Sequence, residues 1–279
     1  MLTRSQFPTA IDATRWRDGR QVMLEKASRR ELKICKLLSF TALRQEPRNH
    51  CLMGIPFLRP FNNSHFQIFG EFVAFFTQRC YGLRFMHERK IAHRNSLRDC
   101  AANNIMLDPS GMYPEGCHPI QINRAKSYTR TQRPTRYYLI DLGLSRQYNY
   151  RDALDEPLRG GNKSAPEHNH GNLCNLFHTD IYYLGNLIRE RFLRVYNEFE
   201  FMVELVDSMT DEDSAMRPMI EDVVSMFSCI RDSLNRFKLR SLIAPREDSR
   251  LITTFRYIPY AIRTARYIVL QKGSIPDAA

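Results

Sequence analysis

The fold is decided by residues 91–108, which read IAHRNSLRDCAANNIMLD. A polar segment lies here between two short apolar runs, and the second run, Ile105-Met106-Leu107, is a candidate strand. Within the polar segment, Asp99 and Asn104 stand five positions apart. A single aspartate is most often a surface or capping residue, so the spacing to Asn104 is what singles Asp99 out.

Further polar motifs follow in the second half of the chain. Asp141-Leu142-Gly143 comes after a candidate strand at residues 137–140, and Ala165-Pro166-Glu167 follows in a polar stretch. Asp180 opens a segment with helical spacing of its apolar residues, and Arg217-Pro218 precedes another. Each motif alone is a weak signal, but their order and the elements between them are informative.

Together these motifs resemble the signature segments of the protein kinase superfamily. His93-Arg94, Asp99 and Asn104 resemble the catalytic loop, H-R-D-x-x-x-x-N. Asp141-Leu142-Gly143 resembles D-F-G with Leu in the middle, and Ala165-Pro166-Glu167 resembles A-P-E. The resemblance implies that the chain uses ATP and Mg²⁺ to transfer phosphate to a protein hydroxyl.

The resemblance covers about residues 12–240, and residues 91–94 and 104–108 are similar to fungal protein-kinase-domain proteins. It implies an α+β fold with two lobes, namely a truncated β-rich N-lobe and a mainly helical C-lobe. The expected domains are a reduced ATP-binding lobe, a helical catalytic lobe and a basic tail, at residues 1–58, 59–240 and 241–279.

The resemblance also implies a role for each residue that matches a functional position. Phosphoryl transfer needs positioning and charge neutralisation more than covalent chemistry. Asp99 is therefore implied to be the catalytic base, and Asn104 and Asp141 to be ligands of Mg²⁺, which prefers oxygen ligands shared with phosphates. Lys26 is implied to hold the ATP phosphates, with Glu31 as its ion-pair partner.

Three further positions match structural residues of the family. Glu167 and Arg217 are implied to form a buried ion pair, and the loss of one partner of such a pair typically costs about 3–5 kcal/mol. Asp180 resembles the aspartate that braces the backbone of the catalytic loop. Lys163 and Ser164 stand just before the A-P-E motif, and we expect them to line the mouth where substrate hydroxyls pass.

The catalytic loop is interrupted by Asn95-Ser96-Leu97-Arg98. If His93-Arg94 keep their places, Asn95 occupies the base position and cannot act as a base. If the spacing to Asn104 decides the register, Asp99 is the base and the extra residues loop out upstream. The second register is preferred because its spacing is the one that the motif requires. Misplacement by about 1 Å can cost about 100-fold in rate, so activity stays open.

The N-terminal region departs further from the family pattern, since no glycine-rich loop is present to cover the phosphates. Residues 22–25 align with V-A-I-K and put Glu25 at the lysine position. A shift of one residue would restore Lys26, which otherwise points to the other face of the strand. Residues 51–60 are too short for the two strands expected there, so part of the sheet is expected to be missing.

Hydrophobic spacing predicts the elements around these motifs. Strands are expected at residues 20–26, 105–107 and 137–140, and helices at residues 29–40, 66–89, 179–194, 199–209 and 220–239. A Pro-rich, basic loop or hairpin is expected over residues 108–136, and a tail with weak patterning from Arg240 onward.

The net charge of +11 favours acidic surfaces as partners. The basic residues are spread out, and their concentration at residues 124–136 favours a solvated loop, so no nucleic acid is expected. Seven scattered cysteines without a C-x-x-C pair argue against a disulfide framework and favour a cytoplasmic or nuclear setting. Since no run approaches the ~20 apolar residues of a membrane helix, no membrane partner is expected.

Three functions stay open on the sequence. One is an active protein kinase for Ser/Thr or Tyr, another is a pseudokinase that acts as an interaction scaffold for a partner protein, and the third is a small-molecule phosphotransferase on the same fold. The A-P-E motif favours a protein substrate. His168, His170, Cys174 and His178 have a spacing that fits zinc, but zinc sites show tighter ligand pairs, so surface histidines are favoured.

Overall fold

The structure is a computed structural model. It describes residues 3–4, 10–14, 21–38, 44–45, 50–94, 104–114, 128–152, 154–156, 164–170 and 173–278. Small antiparallel sheets and a larger set of helices form a mixed α/β fold of the α+β kind. No helix within those ranges is both long enough and apolar enough to cross a membrane.

The N-terminal part of the chain forms an antiparallel sheet of five strands in the order β1-β2-β3-β5-β4. The strands are β1 Thr3–Arg4, β2 Ala10–Thr14, β3 Gln21–Ser28, β4 Arg44–Gln45 and β5 His50–Pro56. Residues 51–60 hold one strand of this sheet, and β4 comes from the polar loop before them. Residues 51–60 are thus too short for two strands of this sheet, as predicted, but β4 was not predicted, because a two-residue strand leaves no alternating pattern to detect.

Helix α1, Arg29–Leu37, follows β3 directly. It begins at a capping box, in which the Ser28 hydroxyl accepts from the Glu31 N–H at 3.1 Å and the Glu31 carboxylate accepts from the Ser28 N–H at 3.4 Å. The apolar face of α1 packs on the sheet, and Ile34 belongs to a buried cluster that also contains Leu142. This cluster brings the start of α1 close to the D-L-G motif.

Helices form most of the remaining structure. They are α2 Phe69–Glu88, α3 Glu167–His170, α4 Leu176–Ile188, α5 Val203–Met209, α6 Ile220–Ser233, α7 Arg236–Arg240 and α8 Arg250–Val269. Helix α2 is buried along most of its length, because Phe72 and Phe75 contact the ring of Phe192 in a large apolar cluster. The cluster makes α2 a rigid support for the segment that follows it.

Three short antiparallel sheets accompany the helices. The first contains β6 Arg59–Pro60, β8 Ile105–Leu107 and β9 Tyr137–Leu139, the second pairs β7 Ile91–Ala92 with β10 Arg146–Gln147, and the third pairs β11 Leu154–Asp155 with β12 Cys174–Asn175. His93-Arg94 follow β7, Asn104 precedes β8 and Asp141 comes shortly after β9, so the sheets fix where these polar residues lie.

Most predicted elements agree with the structure within a few residues, but two differ. The helix predicted over residues 220–239 is broken, because Leu234 is extended and Asn235 caps α7 by accepting from the Lys238 N–H at 2.8 Å. The tail from Arg240, predicted to be weakly patterned, contains α8, a helix of 20 residues.

Candidate functional site

Asp180, in the first turns of α4, is a buried carboxylate with three polar partners. Its Oδ2 accepts from the His93 N–H at 2.7 Å, and its Oδ1 accepts from the Arg94 N–H at 2.9 Å. The His87 Nε2 lies 3.1 Å from Oδ2. Because a buried carboxylate is costly without such partners, these contacts hold the His93-Arg94 backbone against α4. This arrangement matches the bracing role implied for Asp180.

Two residues of the site adopt the left-handed backbone conformation, Arg94 with φ 59° and Asp141 with φ 58°. Asp tolerates this region better than Arg, and each strained residue costs roughly 1–3 kcal/mol. Arg94 is held there by Asp180, and the Ser145 hydroxyl fixes the preceding residue by donating to the His93 carbonyl at 3.1 Å. Strain of this kind clusters at functional sites, so these two residues support a candidate site in their neighbourhood.

Asn104 and Asp141 meet at one end of the β8–β9 hairpin. Ile105 pairs with Leu139, and the Ile140 N–H donates to the Asn104 carbonyl at 3.0 Å. This register leaves the Asn104 Nδ2 only 3.5 Å from the Asp141 Oδ2, although the residues are 37 positions apart in the chain. The structure thus brings together the two residues that the sequence singled out as metal ligands.

Glu31 lies beside this pair. A Cβ placed on Gly143 would lie 3.5 Å from the Asp141 Oδ1 and 3.7 Å from the Glu31 Oε2, so both carboxylates border the same glycine. Burial raises the pKa of Glu31, the Ser28 N–H acts in the opposite direction, and the negative charge of Asp141 adds to the rise. The Asp141 carboxylate is therefore near enough to oppose ionisation of Glu31, although burial is the larger cause.

Asp99 lies outside the described residues, and so does the side chain of Lys26, so neither predicted role is tested by a contact. The backbone of β3 pairs with both neighbouring strands without a bulge. Position 25 therefore alternates in phase with the buried Met23 and Ala27. The structure describes neither the Glu25 nor the Lys26 side chain, so the role implied for Lys26 stays a prediction.

Glu167 and Arg217 form a two-pronged ion pair. The Arg217 Nη1 donates to Oε1 at 2.8 Å and Nη2 donates to Oε2 at 2.9 Å, and Arg217 is only 2% exposed. The Thr179 hydroxyl donates to Glu167 Oε1 at 2.7 Å. Burial alone would raise the pKa of Glu167, but the bonds from Arg217 and Thr179 outweigh it and hold that pKa below its ordinary value. The pair fixes the A-P-E segment to the helical body.

A second charged cluster, centred on Asp155, was missed in the sequence. Its Oδ2 lies 3.4 Å from the Arg94 Nη1 and 2.6 Å from the Arg146 Nη1. The Tyr148 hydroxyl donates to the same oxygen at 2.7 Å. Arg146 and Tyr148 lie two positions apart, a spacing that places residues on one face of extended chain, but nothing in the sequence links them to Asp155. The cluster fastens the segment after the D-L-G motif to Arg94.

The residues with zinc-like spacing have separate partners. His168 Nε2 lies 2.8 Å from the Tyr183 hydroxyl, His178 Nδ1 contacts the Ser214 carbonyl, and the Cys174 thiol lies 3.7 Å from the Asp155 carbonyl. The side chain of His170 lies outside the described residues. In the described part of the chain, no group of three or more His, Cys, Asp or Glu side chains could hold a metal ion.

Arg130 departs from the expectation of a solvated basic loop, whereas Arg133 and Arg136 are exposed as expected. Its guanidinium is buried and donates to the Tyr137 hydroxyl at 2.9 Å, the His65 carbonyl at 3.0 Å and the Phe61 carbonyl at 2.6 Å. The charge is surrounded by acceptors, so this arginine supports the fold instead of presenting a charge to a partner. Positive charge in a loop usually indicates exposure, and the burial of Arg130 reverses that inference.

Comparison with known proteins gives no family for this chain. No family model matches the sequence, and no curated protein matches it either.

Proposed function

We propose that this protein is a phosphotransferase of the protein kinase class, with a two-lobed kinase fold, that transfers the γ-phosphate of ATP to a protein hydroxyl. The observation that carries the proposal is the 3.5 Å approach of Asn104 to Asp141 beside Glu31. These groups lie where α1 contacts the turn at Leu142–Leu144. The bracing of Arg94 by Asp180 supports the proposal, because the resemblance implies such a contact to the backbone of the catalytic loop.

The Asp141 carboxylate would supply one oxygen ligand to a Mg²⁺ ion, and Asn104 would supply a second with its amide oxygen turned to the ion in place of the Nδ2 that now faces Asp141. Magnesium prefers carboxylate and amide oxygens, and it is usually held by one or two protein groups together with phosphate oxygens of the substrate. The crowding of Glu31 and Asp141 points the same way, because a nearby cation lowers the cost of two adjacent negative charges. When bound, the ion would neutralise charge that develops on the transferred phosphate.

The remaining roles follow from the resemblance to the kinase motifs. Asp99, five positions before Asn104, orients the substrate hydroxyl and accepts its proton. Lys26 holds the ATP phosphates with Glu31 as its partner. Lysine beside Glu31 would also favour the ionised carboxylate, which burial disfavours.

A protein is the substrate class that the segment around the A-P-E motif supports best. Arg217 fixes Glu167, and the Tyr182 hydroxyl donates to the Ser164 carbonyl at 2.6 Å. A backbone segment held at both points is suited to support an extended substrate chain next to the transfer site. The proposal leaves Ser, Thr and Tyr as acceptors, and it places the protein in the cytoplasm or nucleus.

A pseudokinase scaffold is the second candidate, and two features of the sequence favour it. The sequence contains no glycine-rich loop, and residues 22–25 put Glu25 at the position expected for a phosphate-binding lysine. A negative charge there would repel ATP. The helical body would then act through its surface on a partner protein, without transferring phosphate.

Thermal denaturation with ATP, with and without Mg²⁺, tests the proposal. Ligand that binds the folded state raises the melting temperature, so wild type is expected to show a rise that needs both ATP and Mg²⁺. Asp141→Asn should lose that rise, whereas the exposed Asp152→Asn should keep it. Radiolabelled phosphate transfer to casein should be lost in Asp99→Asn. If ATP with Mg²⁺ does not raise the melting temperature of wild type, the scaffold function is favoured instead. If Asp99→Asn transfers phosphate as well as wild type, Asp99 is not the base.

A further inference from the structure

Helix α8, Arg250–Val269, carries an exposed apolar stripe. Ile258, Ile262, Ala265 and Val269 recur at the spacing of one helix face. Ile258, Ile262 and Val269 are 57%, 70% and 80% exposed, so these residues project from the surface instead of lining a groove. Contiguous apolar side chains that are exposed in this way mark an interaction surface.

The opposite face of α8 is fixed to the body of the protein. The Tyr260 hydroxyl donates to the Arg240 carbonyl, and the hydroxyl of the buried Tyr267 lies 3.0 Å from the Thr129 Oγ1. Both tyrosines lie about half a turn away from the line through Ile262 and Val269. The helix is therefore held by one face, and the apolar stripe is directed away from the core by the way the helix docks.

The charge of α8 is entirely positive. Residues 250–272 contain Arg250, Arg256, Arg263, Arg266 and Lys272, and no Asp or Glu. Arg266 and Lys272 are exposed. An apolar stripe flanked by basic residues, on a helix that is too polar to cross a bilayer, is typical of a helix that lies in a membrane interface. A second copy of α8 fits poorly, because two all-positive helices repel each other.

We propose that α8 binds the surface of an anionic lipid bilayer. The stripe enters the boundary between headgroups and acyl chains, and Arg266 and Lys272 contact the anionic headgroups. The contact is interfacial, since no described helix can cross a bilayer. It differs from the expectation that the chain has no membrane partner, which rested on the absence of a long apolar run. The proposal is independent of whether the protein transfers phosphate.

Co-sedimentation of the full chain with lipid vesicles tests this proposal. Wild type is expected to sediment with vesicles of phosphatidylcholine and phosphatidylserine, to bind pure phosphatidylcholine weakly, and to be released by salt. Replacing both isoleucines, Ile258→Ser with Ile262→Ser, should weaken binding by about tenfold or more because two apolar insertions are lost. Arg266→Gln with Lys272→Gln should weaken it by about fivefold for each charge.

The control is Met216→Ser, which removes an exposed apolar side chain outside α8 and should leave vesicle binding unchanged. Circular dichroism checks that each variant is folded. If the double isoleucine variant does not fold, the single variant Val269→Ser takes its place. The proposal is overturned if wild type fails to bind anionic vesicles, if both vesicle types bind it equally, or if the stripe variants bind like wild type. Self-association that the same variants abolish would assign the stripe to a second copy instead.

Discussion

The carboxylates in two regions of the site differ in the groups that surround them. In the supporting region, Asp180 and Glu167 are buried among donors, and the pKa of Glu167 stays below its ordinary value despite burial. In the reactive region, Glu31 and Asp141 border the same glycine, and the pKa of Glu31 is raised. The difference indicates that the first region stabilises the fold, whereas the ionised form of Glu31 in the second region is disfavoured by its surroundings.

The largest effect is expected where the supporting region loses a charge partner. Arg217→Met leaves the Glu167 carboxylate buried without its guanidinium, and this should lower the free energy of unfolding by about 3–5 kcal/mol. Urea denaturation measures the loss. The double variant with Glu167→Gln should recover part of it, because no uncompensated charge then remains. A loss below about 1 kcal/mol would contradict a supporting role for the pair.

A smaller loss is expected at Asp180. Asp180→Asn keeps one acceptor oxygen but removes the charge that the N–H groups of His93 and Arg94 and the ring of His87 share. The free energy of unfolding should fall by about 1–3 kcal/mol. Asp207→Asn, at an exposed position of α5, is the matched control and should stay within about 0.5 kcal/mol of wild type. An equal loss in both variants would mean that burial of Asp180 has no special effect.

The reactive region should respond in the opposite direction. Asp141→Asn removes the negative charge that faces Glu31, so the free energy of unfolding should be unchanged or higher by about 1 kcal/mol. The same variant should lose the stabilisation by ATP with Mg²⁺. Urea denaturation with and without these ligands measures both effects. A clear loss of stability without ligand would place Asp141 with the supporting residues and break the contrast between the two regions.

The contrast also predicts opposite pH dependences. The folded pKa of Glu167 is lowered, so its contribution to stability is present above the ordinary value of 4.5 and is lost as the pH falls through the folded value. The folded pKa of Glu31 is raised, so stability is instead lost as the pH rises from 4.5 through the folded value. Urea denaturation at a series of pH values gives the free energy of unfolding as a function of pH. Glu167→Gln should reduce the pH dependence on the acid side, and Glu31→Gln should reduce it above pH 4.5. Profiles that change on the same side would refute this assignment.

The supporting residues could be found from the sequence because each belongs to a local motif whose order is informative. Glu167, Asp180 and Arg217 stand out in the sequence before any contact is known, and the structure places them in the contacts expected of them. Position 99 lies outside the described residues, so the proposed base stays a prediction. The approach of Asn104 to Asp141 required the register of β8 and β9, which residue types alone do not determine.

Other features left little signal in the sequence. Strand β4 has only two residues, which is too short for an alternating pattern. Helix α8 has helical spacing, but arginines and Pro259 stand between its apolar residues along the sequence, and its exposed face became evident only with its docking contacts. The cluster on Asp155 joins residues from separate short strands, so its partners could not be read from any one segment.

The smallest expected effect concerns that cluster. Tyr148→Phe removes one hydrogen bond to Asp155 but leaves both arginine contacts, so the free energy of unfolding should fall by only about 0.5–1.5 kcal/mol. Tyr150→Phe, at an exposed neighbouring position, is the control and should be neutral. If Asp155 fastens this segment to Arg94, Tyr148→Phe should also speed amide hydrogen exchange after Ser145, while leaving exchange in α4 unchanged. Equal acceleration in both elements would mean that the bond contributes to global stability and does not fasten this segment in particular.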